Sequence, residues 1–116
     1  MEIAFLNNID FLSENIKSMK ESNIEKDVIL KNICFYIGEA SALYPITKYN
    51  NQKLFNVFQE LNTAFINNNS EFFFKNDYTD KLVFHLGNIR SDPTNDAYLV
   101  DFLKFLQEIN IERNTK

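Results

Sequence analysis

The chain has no tryptophan, one cysteine, one histidine, two glycines and two prolines among 116 residues. A single cysteine excludes an internal disulfide framework and suits a reducing compartment, so a cytoplasmic location is the expectation. Two glycines cannot build a P-loop or a G-x-G-x-x-G phosphate cradle. One histidine leaves a zinc site without its usual partners, and no D-x-D-x-D-G loop is present to hold calcium. No run of 18 or more apolar residues offers a membrane span. Glu2, Asn7, Asn8 and Asp10 interrupt the first apolar residues, unlike the core of a secretory signal. No repeat of fixed period is visible.

What is present is apolar and aromatic. Hydrophobic residues make up 45% and aromatic residues 15%, twelve of them Phe, which argues against a disordered chain. A length of 116 residues fits one domain, 1–116, with a core of its own. Few breakers and many apolar residues predict helices joined by short links. The net charge of -4 speaks against nucleic acid and against an anionic membrane surface as direct partners. It suits a basic protein, through complementary potentials.

The stretch 22–44, SNIEKDVILKNICFYIGEASALY, reads as a central helix. Ser22 and Glu25 have capping-box spacing, and Pro45 ends the run. Its apolar residues cover more than one stripe, which predicts burial on several sides. Before it, Ile3, Leu6, Ile9, Leu12, Ile16 and Met19 recur at spacings of three and four, predicting an amphipathic helix over 2–21. Only Ser22 and Asn23 join the two, so they should pack antiparallel. Asn50 or Asn51 caps a third helix, to about 67, with Leu54, Phe58, Leu61 and Phe65 on one face. Residues 71–91 admit two readings. Leu82, Leu86 and Ile89 fit a helix started at Thr79 and Asp80. Leu82, Phe84 and Leu86 also fit a strand, paired with Phe72–Phe74 in a hairpin within 71–88. The helix is preferred because the rest of the chain is helical, although Gly87 weakens it. Thr94 or Asn95 caps a last helix, with Leu99, Phe102 or Leu103, Leu106 and Ile109 inward, ending near Asn110. Residues 112–116 read as a frayed tail. The predicted fold is an all-α bundle of about five helices, with an α+β variant as the alternative.

No residue pattern points to catalysis, a metal or a cofactor. His85 stands between Phe84 and Leu86 with no nameable partner, and reads as a structural side chain. Cys34 lies in mid-helix between Ile33 and Phe35, where a thiol acts as a small hydrophobe rather than a nucleophile. The remaining candidate is a partner-binding surface between residues 72 and 101. It combines Phe72, Phe73, Phe74, Tyr78 and Tyr98 with Asp77, Asp80, Asp92, Asp96 and Asp101. Aromatic anchors ringed by carboxylates suit a basic partner, the rings supplying contact energy and the charges steering. The plain alternative makes the carboxylates caps and solvated faces and the tyrosines half-buried core.

In size, acidity, helical character, lack of a catalytic motif and this aromatic–acidic segment, the chain resembles bacterial immunity proteins, the helical antidotes to colicins and contact-dependent growth-inhibition toxins. The resemblance implies a non-enzymatic inhibitor of a basic nuclease toxin, whose active site is occluded by carboxylates that mimic nucleic-acid phosphates. The segment 72–101 would be that surface. The other reading of the same features is a helical adaptor or secretion chaperone that holds an apolar peptide in a groove, using exposed Phe72, Phe73 and Phe74.

Overall fold

The computed structural model describes residues 2–21, 25–74 and 77–114. It holds α1 (Glu2–Glu21), α2 (Lys26–Leu43), a 3-10 turn (Tyr44–Ile46), α3 (Gln52–Asn67), α4 (Ser70–Phe74), α5 (Tyr78–Ser91) and α6 (Asp96–Asn114). No described residue is in a strand, so 78–91 is helix and the hairpin alternative fails.

Five of these helices close into a ring. α1 packs on α2 and α5, α2 on α3, α3 on α6, and α6 back on α5. Named contacts give their directions. Met19 meets Lys26 and Phe11 meets Tyr36, so α1 and α2 are antiparallel. Lys20 meets Asp80 and Arg90 meets Asp10, so α1 and α5 are antiparallel too. Tyr78 meets Phe105 and His85 meets Phe102, which reverses α6 against α5. Lys53 pairs with Asp96 and Asn110 with Glu60, so α3 and α6 run parallel. The C-terminal ends of α1, α3 and α6 and the N-terminal ends of α2 and α5 therefore share one end of the bundle. α4 sits at that end, against α5 and α2. The radius of gyration is 13.3 Å, close to the ~13 Å that one packed domain of this length should have.

Each helix turns one stripe inward. On α1 it is Phe5, Ile9, Leu12, Ile16 and Met19, all fully buried. Phe5 replaces the expected Ile3, which is 75% exposed; both are apolar, and the ring selects the one aimed at Phe58 and Tyr49. α2 differs more from expectation. It begins at Lys26, not at residue 22, with Glu25 at the N-cap position and no side-chain cap. The expected capping box pairs Glu25 with Ser22, which lies outside the described residues. α2 also buries only Ile29, Ile33, Ile37 and Ala40, while Val28 and Phe35 face solvent. It is one wall of the ring, because its neighbours α1 and α3 cover a single side.

The other caps explain the remaining boundaries. Asn51 accepts from the backbone N–H groups of Lys53 (2.8 Å) and Leu54 (3.3 Å), which starts α3. Asn95 accepts from the N–H of Tyr98 at 3.1 Å and starts α6. Asn51→Ala should cost about 1 kcal/mol of stability, measured by urea unfolding, with no change in helix content. α6 runs four residues past the expected end at Asn110. Glu112 stays helical because it accepts a hydrogen bond from the Tyr78 hydroxyl on α5. α6 continues to Asn114, and residues 115 and 116 of the expected tail lie outside the described residues.

Candidate functional site

The predicted aromatic–acidic surface is divided by the fold. α5 has 14 residues, a rise of about 20 Å, and carries part of the segment to each end of the ring. Phe72, Phe73, Phe74, Asp77, Tyr78 and Asp80 gather where α4 meets α5. Asp92 and Asp96 flank the turn between α5 and α6 at the other end, and Asp101 and Tyr98 follow on the first turns of α6.

The two ends differ in what is accessible. Asp92, Asp96 and Asp101 are exposed, and Tyr98 is half-buried against the core. Asp96 pairs with Lys53, and Asp92 accepts a long hydrogen bond from the Asn95 amide. None of the aromatic residues predicted for the surface is exposed at that end. At the α4–α5 end, Phe72, Phe73 and Tyr78 are core residues. Phe73 stacks on Phe65 at 4.4 Å, and Phe72 packs against both Phe73 and Tyr78. Three of the five predicted aromatic contact residues are thus buried. The reason is α4 itself: a single helical turn after Asn68 and Asn69 folds the Phe run down onto the end of the ring.

What remains open there is a cleft of about 250 Å³, lined by Phe73, Phe74, Thr79, Asp77, Asp80, Lys20 and Lys26. Phe74 is 39% exposed and forms an accessible aromatic wall. Lys26 lies over its ring at 5.4 Å, a cation–π contact. Asp80 accepts from Lys20 at 3.0 Å. Thr79 is buried and donates its hydroxyl to the Phe73 carbonyl at 2.9 Å, tying α4 to α5. Asp77 occupies the N-cap position of α5 with φ 59° and no side-chain cap. Asp tolerates this left-handed conformation better than most residues, and here it leaves the carboxylate exposed at the mouth of the cleft. Lys20, Lys26 and Thr79 had no signal in the sequence that would place them with the Phe run. They arrive from three separate helices.

The two titratable groups singled out in the sequence are both half-buried. His85 is half-buried on α5, its ring stacked between Phe102 (5.1 Å) and Phe105 (5.2 Å) of α6. Its Nδ1 is buried without a hydrogen-bond partner. Burial lowers its pKa from 6.5, against a weaker upward pull from Asp101. The unfolded chain therefore binds a proton more readily than the folded one. The stabilising contribution of neutral His85 is complete above about pH 6.5 and is lost as pH falls below it. Urea unfolding between pH 7 and pH 5 should show declining stability, with a smaller decline in His85→Gln. Cys34 is half-buried, and desolvation raises its thiol pKa, which suppresses the reactive thiolate. Among the described residues no three His, Cys, Asp or Glu side chains converge as metal ligands would.

No helix among the described residues is long and apolar enough to cross a membrane. The structure defines the chain as an all-α helical bundle with an amphoteric cleft at one end. No protein-family model, curated protein or solved structure matches it.

Proposed function

We propose that the chain is a small acidic intracellular inhibitor of the immunity-protein kind, which binds a basic enzyme, a nuclease toxin, and blocks its active site. The observation that carries this reading is the cleft mouth, where exposed Asp77 and Asp80 stand beside the exposed ring of Phe74. An accessible aromatic next to carboxylates is the composition of a protein-binding hot spot. A partner Arg or Lys entering there meets a ring face already used by Lys26 and a carboxylate already used by Lys20. That Lys20–Asp80 pair is exposed and worth little, so a partner's cation displaces it at small cost. The net charge of -4 steers such a partner from a distance. The exposed acids at the far end of the ring add to the same long-range field.

The peptide-groove reading has less support, because Phe72 and Phe73 are in the core. The experiment that separates the two is capture of partners by the tagged chain from its own cells, at low and at high salt. The inhibitor reading expects one basic enzyme, released as salt rises. Partners that survive high salt, or acidic partners, would reverse it in favour of the groove.

A further inference from the structure

The outward face of α2 is a stripe that no helix of the ring covers. It consists of Val28, Lys31, Asn32, Phe35, Gly38, Glu39 and Ala42, all exposed. Phe35 is 60% exposed at its centre, and Val28 is 45% exposed two turns away. Phe35 touches Tyr36 at 5.4 Å, and Tyr36 touches half-open Phe11 of α1 at 5.3 Å, so the apolar patch extends sideways across the α1–α2 seam.

The order of residues along this stripe is symmetric about Phe35. Lys31 and Glu39 each lie four residues away, about 6 Å along the axis, on opposite sides. Val28 and Ala42 each lie seven residues away. Asn32 and Gly38 each lie three away, and a Cβ built at Gly38 meets nothing within 4 Å. Neither Lys31 nor Glu39 forms an ion pair among the described residues.

We infer that this face of α2 binds a second copy of the chain, the two α2 helices crossing antiparallel on a two-fold axis at Phe35. A two-fold contact requires a self-complementary surface, in which residue i meets j and j meets i. In this register Phe35 packs on Phe35, Val28 meets Ala42, and each Asn32 lies over the open surface at Gly38. Each Lys31 faces a Glu39 of the other copy, so the axis creates two ion pairs of opposite polarity. A parallel arrangement in register would instead set Lys31 against Lys31 and Glu39 against Glu39. The charges thus select both the occupant and its direction. One helix face with flanking Phe11 and Tyr36 is smaller than the ~800 Å² per partner of a standard interface, so the dimer is weak. The stripe shares no residue with the cleft, and the inference stands apart from the inhibitor reading.

The test is sedimentation velocity of the full chain at low salt, from about 10 μM to about 1 mM, the range for weak association. Wild type should shift from monomer to dimer across the range, and Phe35→Asp should stay monomeric. Lys31→Glu alone and Glu39→Lys alone each create two like-charge pairs, and each should weaken the dimer about tenfold or more. An equimolar mixture of these two variants restores both opposite pairs, so it should dimerise like wild type. Recovery on mixing also excludes misfolding as the cause of the single-variant loss. A wild-type chain that stays monomeric throughout, single reversals that dimerise normally, or a mixture that does not recover would each overturn the inference.

Discussion

Ile33→Asp should abolish the folded state. Ile33 is fully buried on the inner stripe of α2, between Ile29 and Ile37. Removing its apolar side chain alone costs about 2–5 kcal/mol. The aspartate that replaces it lies within the hydrophobic cluster, and an unpaired buried charge costs several kcal/mol more. A domain of this size has only about 5–15 kcal/mol in total. Far-UV circular dichroism should show loss of most helix at 25 °C. The control is Phe35→Asp, two residues on and facing solvent, which should keep its fold with a stability change within about 0.5 kcal/mol. A folded Ile33→Asp chain would mean that α2 is rotated about its axis.

The second large effect concerns binding. Replacing Asp77 and Asp80 together by Asn should weaken the captured basic partner by about tenfold or more, in line with loss of charged contacts near an interface centre. It should also flatten the salt dependence of association. Folding should change little, since Asp77 makes no cap hydrogen bond and the Asp80–Lys20 pair is exposed. Asp92→Asn with Asp96→Asn at the far end should slow association slightly and leave the dissociation rate unchanged, as rim charges do. Isothermal titration with stopped-flow rates distinguishes these outcomes. Equal losses from both pairs would place the interface along the whole of α5 and α6 instead of at the cleft.

Periodicity made the helices legible. The spacing of Ile9, Leu12, Ile16 and Met19 gives α1 its observed bounds, and cap-forming residues mark the next helix starts as Asn50 or Asn51 and Thr94 or Asn95, between which the hydrogen bonds of Asn51 and Asn95 decide. Periodicity cannot say which of two apolar neighbours faces inward. Ile3 and Phe5 differ only in where α1 sits relative to Phe58, a contact 53 residues away from Phe5. The wide apolar surface of α2 looked like all-round burial because its outward Val28 and Phe35 have the same hydropathy as its core. The Phe72–Phe74 run could be a strand, a groove or a plug, and only the position of α4 on the ring decides. The cleft is least legible of all. Its walls come from α1, α2, α4 and α5, and no local pattern relates Lys20 to Asp80 across 60 residues. The carboxylates were visible as composition, but their division between two ends of the bundle follows from the length of α5.

The most direct test of the inhibitor account is enzymatic. The basic protein captured at low salt is purified, and its catalytic activity is followed while the chain is titrated in. The account predicts inhibition that saturates near one chain per enzyme, is relieved as salt rises, and is lost with Asp77→Asn and Asp80→Asn. Full activity at saturating chain would contradict it, and would leave the cleft as a contact surface that blocks nothing.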